Sequence, residues 1–493
     1  MNKQRLSLIL LCAILVLGFT LRLYKFDSPV ADWHSWRQVD TSAVSRNFVQ
    51  EGFDILYPRF DDLSNVASTL DNPQGYRFVE FPIYNVAQAG GYVLFDFFTL
   101  EQWGRIVSIV ASTVCGIFIY LLVKRHFSQT AGLFAAFFYA VIPFSIFYGR
   151  VILPDTAMIA MTLGGIYFFD RWSELESKKE KKKRGLFFVL SLVFTASALL
   201  LKPYALFFTL PLIYLSYARF GFTFFKKWQL WAFLFLAILP LACWRVWMLS
   251  YPEGIPSNLW LLNKGDIRFK GAFFYWIFAE RISKLILGYW GVILLGLGHL
   301  ALLKKENLRS FKQGKGYFFY SFFLSAMLYL FVIARGNVQH DYYQILIVPI
   351  LAMFVGIGAD ALYSLSATQY YRFTGKILLV IISFFTLMFG WYHVRDYYQI
   401  NNPSMLKAGK AVDELTPKDA KVIAKYEGDT TFLYYTNRQG WASYAYDMPK
   451  MIELGADFLV IVGPDESDMK FVNQYKVLRN NSDFILFDLH QKP

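Results

Sequence analysis

The sequence predicts a polytopic α-helical membrane protein that ends in a small α/β domain. Three observations predict it. The chain of 493 residues is 56% hydrophobic and only 17% charged, with a mean hydropathy of +0.36. Long apolar runs alternate with short loops along most of its length. After about residue 394 the long runs stop, and short strand-like and helix-like stretches replace them. A soluble domain rarely combines so little charge with 19% aromatic residues.

The first run, LSLILLCAILVLGFTLRLY, follows MNKQR. It is long for a signal peptide and lacks a small-residue cleavage site, so it is expected to stay as a first span. Ten further runs follow near 105–123, 129–148, 156–172, 186–201, 204–218, 229–249, 283–302, 317–334, 345–364 and 377–393. The expected total is about eleven spans. The run at 81–98 is apolar but holds Asn85, Gln88, a glycine pair and Asp96. Counting it as a span would reverse every later loop, so it is expected to lie along the membrane surface.

The net charge of +13 comes from 49 Lys and Arg against 36 Asp and Glu. Much of the excess base sits in alternate loops: 124–125, 171–185, 219–227, 304–315 and 372–376. That pattern fits cytoplasmic loops and anionic headgroups and argues against a nucleic-acid partner. It puts the N-terminus in the cytoplasm. The loop 25–104 and the domain 394–493 then lie outside, with 1–393 as the membrane domain. Cys12, Cys115 and Cys243 lie in apolar runs and show neither a disulfide framework nor zinc spacing. The tail offers KVIAKY, DFLVIVG and FILFDL as strands, with helical stretches at 405–415 and 447–455.

The densest cluster of chemically able side chains is DWHSWRQVDTSAVSRNF, 32–48. Asp40 begins a helical pattern there, and its alternative reading is a helix N-cap. Asp155, after Pro154, has the same two readings. Lys202 interrupts an apolar run before a proline. At a span centre a lysine costs roughly 2.5–3.5 kcal/mol, and snorkelling is its plain alternative. His340, Asp341, Tyr342 and Tyr343 precede a late span. An aromatic belt explains the tyrosines but not the His-Asp pair. Glu80, Arg37 and His34 complete the set. By topology all of these face outward at one depth. Cations at headgroup level suit a phosphate, and carboxylates suit a general base or a divalent metal ion. The combination suggests an enzyme whose leaving group is a lipid phosphate.

These residues, in this order, resemble bacterial polytopic glycosyltransferases of the GT-C class. The likeness is to glycosyltransferase family 39, the protein O-mannosyltransferases, and to the aminoarabinose transferases of lipid A. HSWRQVDT (34–41), followed by SRNF and LYP, is close to a signature of one bacterial branch. LPDTAM (153–158), LLKP (200–203) and HDYYQILIVP (340–349) resemble the family's later motifs. The resemblance implies transfer of a sugar from a polyprenyl phosphate, undecaprenyl phosphate in bacteria, on the outer face of the inner membrane. It implies Asp40 as catalytic base and Asp155 as a second acid that orients the acceptor or a metal. It implies Lys202, Arg37 and Tyr343 as holders of the lipid phosphate, and Glu80 as the acid opening the second interfacial helix. His34 and His340 join the candidate substrate-binding residues.

The chain also departs from the pattern. Many relatives carry Asp-Glu in the first loop, whereas here Asp40 follows Arg-Gln and Asp32 stands eight residues earlier. The choice between Asp40 and Asp32 stays open. Phe81 stands where aminoarabinose transferases carry a lysine. The alternative function is a transporter or flippase of lipid-linked sugars. Such a protein would often show internal repeats and paired broken spans, which this sequence lacks. A scaffold or sensor would need neither Lys202 nor the residues around His340. The tail is expected to cover the site or select the acceptor.

Overall fold

The structure, a computed structural model, describes residues 3–178, 183–311, 315–365 and 373–493. Parts of the basic loops at 171–185, 304–315 and 372–376 lie outside the described residues. The chain divides into two compact units. The first comprises Met1–Phe26, Arg105–Trp244 and Asn258–Asp396, and the second Asp27–Gly104, Arg245–Ser257 and Tyr397–Pro493.

The first unit is helical. Among the described residues, eight helices are long and apolar enough to cross a membrane, and nine if one bent pair is counted as a span. This is fewer than the expected eleven, for three local reasons. Gln129–Val141 is apolar but only 13 residues long, and Pro143 opens a separate short helix, Pro143–Tyr148. Pro154–Ser177 is long, but it carries Asp155, Asp170, Arg171, Glu174 and Glu176. The run at 283–302 is not continuous. A π-helix, Tyr275–Ile286, and a helix, Gly291–Leu302, meet at a bend of 110°. Gly288 and Tyr289 break the run with φ of 51° and 60°. A side chain at Gly288 would stand 2.3 Å from the carbonyl oxygen of Thr386, so the bend also needs glycine for its close approach.

Small residues let the apolar helices touch. An added Cβ at Gly298 would lie 2.0 Å from the Phe354 carbonyl, and one at Gly358 1.9 Å from that of Leu294. The helices Gly291–Leu302 and Val348–Leu365 therefore meet backbone to backbone. Hydrophobic burial drives little association within lipid, so such close packing supplies the attraction.

The second unit joins the first loop to the tail, a pairing that the sequence does not announce. Its sheet runs β2-β1-β3-β5-β4, where β1 is Val422–Lys425, β2 Gly440–Trp441, β3 Phe458–Val462, β4 Lys476–Asn480 and β5 Phe484–Asp488. β1 pairs in parallel with β2 and β3, while β5 is antiparallel to β3 and β4. The three expected strands are β1, β3 and β5. They are buried and apolar, and packing is what makes such segments strands. β2 is too short to leave a pattern, and β4 is mostly exposed and polar with a register shift. The loop extends the sheet at its β2 edge: Leu63 N–H donates to Gly440 O at 2.7 Å, and Gly440 N–H to Asp61 O at 3.0 Å.

Candidate active site

The stretch 35–51 forms a helix, Ser35–Glu51, entered through His34 at φ 53°. This helix is polar by sequence, yet most of it is buried. Buried polar groups must find partners. The 83–94 run supplies several as a helix, Ile83–Leu94. Ser45 Oγ donates to Gln88 Oε1 at 2.9 Å, Gln88 Nε2 donates to Ser42 Oγ at 3.3 Å, and Asn85 Nδ2 to Thr41 O at 2.7 Å. The polar residues that interrupt the apolar run thus serve this helix pair.

Asp40 lies more than one turn inside its helix, so it is not the N-cap. Its residue is 4% exposed. Arg77 Nη2 donates to Asp40 Oδ2 at 2.6 Å, and Thr430 Oγ1 to Asp40 Oδ1 at 2.6 Å. Burial pulls the Arg77 guanidinium below its ordinary value, with Asp40 opposing it. Arg37 Nη2 donates to Glu80 Oε1 at 2.6 Å, a largely buried pair that unites two candidate residues. Asp32 is also buried and accepts from Gln38 Nε2 at 2.8 Å. His34 packs its ring against Trp33 at 4.9 Å, and Trp33 stacks on Tyr397 at 5.0 Å.

The other candidates belong to the first unit. The helix Pro154–Ser177 has Leu153 at its N-cap, so Asp155 is not a capping residue either. Both of its carboxylate oxygens receive Lys202 Nζ at 2.8 Å. Lys202 ends the helix Arg184–Leu201 in extended backbone before Pro203, and it is buried. It does not snorkel. Proline ends the helix, and the ammonium turns inward to a carboxylate. The rings of Tyr204 and Tyr343 flank Nζ, with centroids at 5.7 and 5.9 Å. Tyr343 stacks on Tyr342 at 4.6 Å, and His340 lies 6.4 Å from Tyr343. Asp341, 1% exposed, accepts from Tyr148 Oη at 2.5 Å and lies 3.9 Å from Arg281 Nη1.

The eight candidate residues therefore form two groups, one in each unit. His34, Arg37, Asp40 and Glu80 are one group, and Asp155, Lys202, His340 and Tyr343 the other. Arg77 and Thr430 contact Asp40, and Tyr148 and Arg281 contact the neighbouring Asp341; none of the four was anticipated.

Residues 80–247 match the dolichyl-phosphate-mannose-protein mannosyltransferase family, a stretch short of half the chain. No curated relative matches the sequence. Among solved structures, the fold is similar to ArnT from Cupriavidus metallidurans bound to undecaprenyl phosphate. That likeness has a TM-score of 0.62 at 12% identity and covers 99% of this chain and 98% of ArnT. The oligosaccharyltransferase AglB from Archaeoglobus fulgidus, in complex with an inhibitory peptide and a dolichol-phosphate, is also similar. There the TM-score is 0.62 at 11% identity, covering 98% of this chain and 74% of AglB.

The chain has the GT-C fold.

Within the GT-C fold the tail is part of the likeness, since nearly the whole chain superposes on ArnT. The donor set for a divalent metal does not fit. Among the described residues no three or more His, Cys, Asp or Glu side chains gather to hold one. The two leading carboxylates, Asp40 and Asp155, are committed to Arg77 and Lys202 instead.

Proposed function

We propose that this protein transfers a sugar from a polyprenyl-phosphate donor to an acceptor hydroxyl at the outer face of the bacterial inner membrane. In this reading the N-terminus is cytoplasmic and the tail extracytoplasmic. The observation that carries the proposal is the likeness in fold, over the full length of both chains, to ArnT bound to undecaprenyl phosphate.

The residues support a division of labour. Arg77 pairs with Asp40 and holds the carboxylate offered here as the general base. A carboxylate has about four lone-pair sites, and Arg77 and Thr430 occupy two of them. The others can take the acceptor proton as the hydroxyl attacks the anomeric carbon. On the leaving side, phosphate departs readily when fixed cations meet its charge in a site of low dielectric. Lys202 is such a cation, aimed by Asp155 and walled by Tyr204 and Tyr343. Arg37, paired with Glu80 in the second unit, is the other candidate cation. Asp155 then acts through Lys202, a positioning role narrower than orienting the acceptor.

The test is turnover by the full chain in nanodiscs, with undecaprenyl-phosphate sugars of several kinds as donors. Release of undecaprenyl phosphate together with labelled acceptor supports transfer. Passage of intact donor across a proteoliposome bilayer without cleavage replaces it with the flippase reading.

A further inference from the structure

We propose that Thr430, in the C-terminal α/β portion, is a positioning residue for the Asp40 carboxylate. The inference rests on the transfer reading above and extends it: the tail would contribute a side chain to the catalytic base's own shell.

The geometry has several independent parts, all inside the second unit. Thr430 Oγ1 donates to Asp40 Oδ1 at 2.6 Å, with Trp36 O farther off at 3.4 Å. Oδ2 of the same carboxylate takes Arg77. The two donors grip opposite oxygens, so neither alone fixes the plane of the carboxylate. Thr430 is itself fixed. It immediately precedes the short helix Thr431–Tyr435, which packs on the Ser35–Glu51 helix. Thr431 Oγ1 lies 3.0 Å from Ser35 Oγ, and Thr431 N–H donates to Asp429 Oδ1 at 2.8 Å. One turn on, Arg46 Nη1 donates to Tyr434 O at 2.9 Å and its guanidinium sits 4.1 Å over the Tyr434 ring. Thr430 is therefore held on a rigid ledge whose contacts with the Asp40 helix run along several turns.

A ledge of this kind would serve general-base catalysis. The reacting lone pair must point at the acceptor hydroxyl within hydrogen-bond reach, and a carboxylate free to rotate about χ2 spends little time there. Arg77 neutralises charge, and Thr430 fixes direction.

The experiment compares full-length wild type, Thr430→Val and Thr430→Ser in nanodiscs. It has two readouts. The first is steady-state transfer from an undecaprenyl-phosphate sugar. The second is the rate at which a water-soluble carbodiimide with a glycine ester modifies Asp40, read by peptide mass mapping. The expected result is a fall in kcat of about tenfold or more for Thr430→Val at near-constant donor KM. Asp40 should then be labelled faster, and Thr430→Ser should restore both readouts. Equal kcat and equal labelling in wild type and Thr430→Val would overturn the proposal. So would a loss that Thr430→Ser fails to rescue, which marks a packing role for the methyl group. Faster labelling in Thr430→Val beside a wild type that turns over no donor overturns the transfer reading, and leaves the contact itself standing.

Discussion

Lys202 Nζ lies 2.8 Å from each carboxylate oxygen of Asp155, and both residues are buried. Breaking one side of such a pair strands the other charge, which costs about 3–5 kcal/mol. Lys202→Ala is therefore expected to lower thermal stability as well as affinity for polyprenyl phosphate. A double variant, Lys202→Met with Asp155→Leu, separates the two effects. It should recover most of the stability, because a buried pair exchanged for apolar side chains is near neutral. Its affinity for undecaprenyl phosphate should stay low. Melting temperature and lipid binding in nanodiscs check this, and unchanged lipid affinity in the double variant would confine the pair to a structural role.

Asp40→Asn keeps the size and one acceptor oxygen, so Thr430 retains a partner. The charge is lost, and with it the basicity. Transfer should fall by about 10²–10⁴-fold, the usual contribution of a positioned base. The protein should still fold, but with a loss of stability like that of Lys202→Ala, because the Arg77 guanidinium is left without its carboxylate. Wild-type-like turnover in this variant removes Asp40 from the mechanism. Asp32→Asn, tested beside it, decides between the two carboxylates.

The parts of the fold legible in the sequence are those written in local pattern. Apolar runs marked nearly every membrane helix, and short, continuously buried runs marked β1, β3 and β5. The break at Gly288 was hidden inside a run that is mostly apolar on both sides of it. Its cause is a close approach to Thr386, distant in sequence. The site shows the same limit. Lys202 stood out because an ionisable group is costly in an apolar run, Asp155 because it opens a span after a proline, and Asp40 because it lies in the densest cluster of chemically able side chains. Their partners did not. Arg77 and Thr430 lie 37 and 390 residues from Asp40, and Tyr148 lies 193 from Asp341. A single sequence carries no trace of such pairings. Lys202 and Asp155 were each legible, but their contact was not.

Arg46 ties the first loop to the tail within the second unit. It pairs with Asp61 at 2.5 Å and bonds Tyr434 O and Asn437 Oδ1 at 2.9 and 2.7 Å. Arg46→Met should loosen this junction, with a drop in melting temperature and faster proteolysis near residues 430–440. Burial pushes Asp61 up to about 6 even though Arg46 opposes the shift. The stranded carboxylate thus costs most above pH 6, where Asp61 would be ionised, and the variant should lose more stability at pH 8 than at pH 5. A loss equal at both values would show that the aromatic and backbone contacts matter and the ion pair does not.

Asp62 yields the clearest pH dependence. It is 3% exposed, and it accepts from Ser64 N–H at 3.1 Å and Ser64 Oγ at 2.9 Å. Burial pushes its carboxyl up to about 6 from an ordinary value of 3.8, against those two hydrogen bonds. The sign follows from proton linkage. Between these two values the folded state binds more protons than the unfolded one, so stability falls as pH rises through that window. The favourable contribution is complete below about pH 4 and gone above about pH 6. Two units correspond to about 3 kcal/mol at full ionisation. Asn resembles the protonated acid and keeps the acceptor for Ser64 N–H. Asp62→Asn should therefore raise the melting temperature at pH 8, change it little at pH 4, and flatten the profile between. Thermal scans of the full chain in detergent across that range provide the measurement. A variant that is less stable than wild type at pH 8 would mean that Asp62 is ionised and well served where it lies.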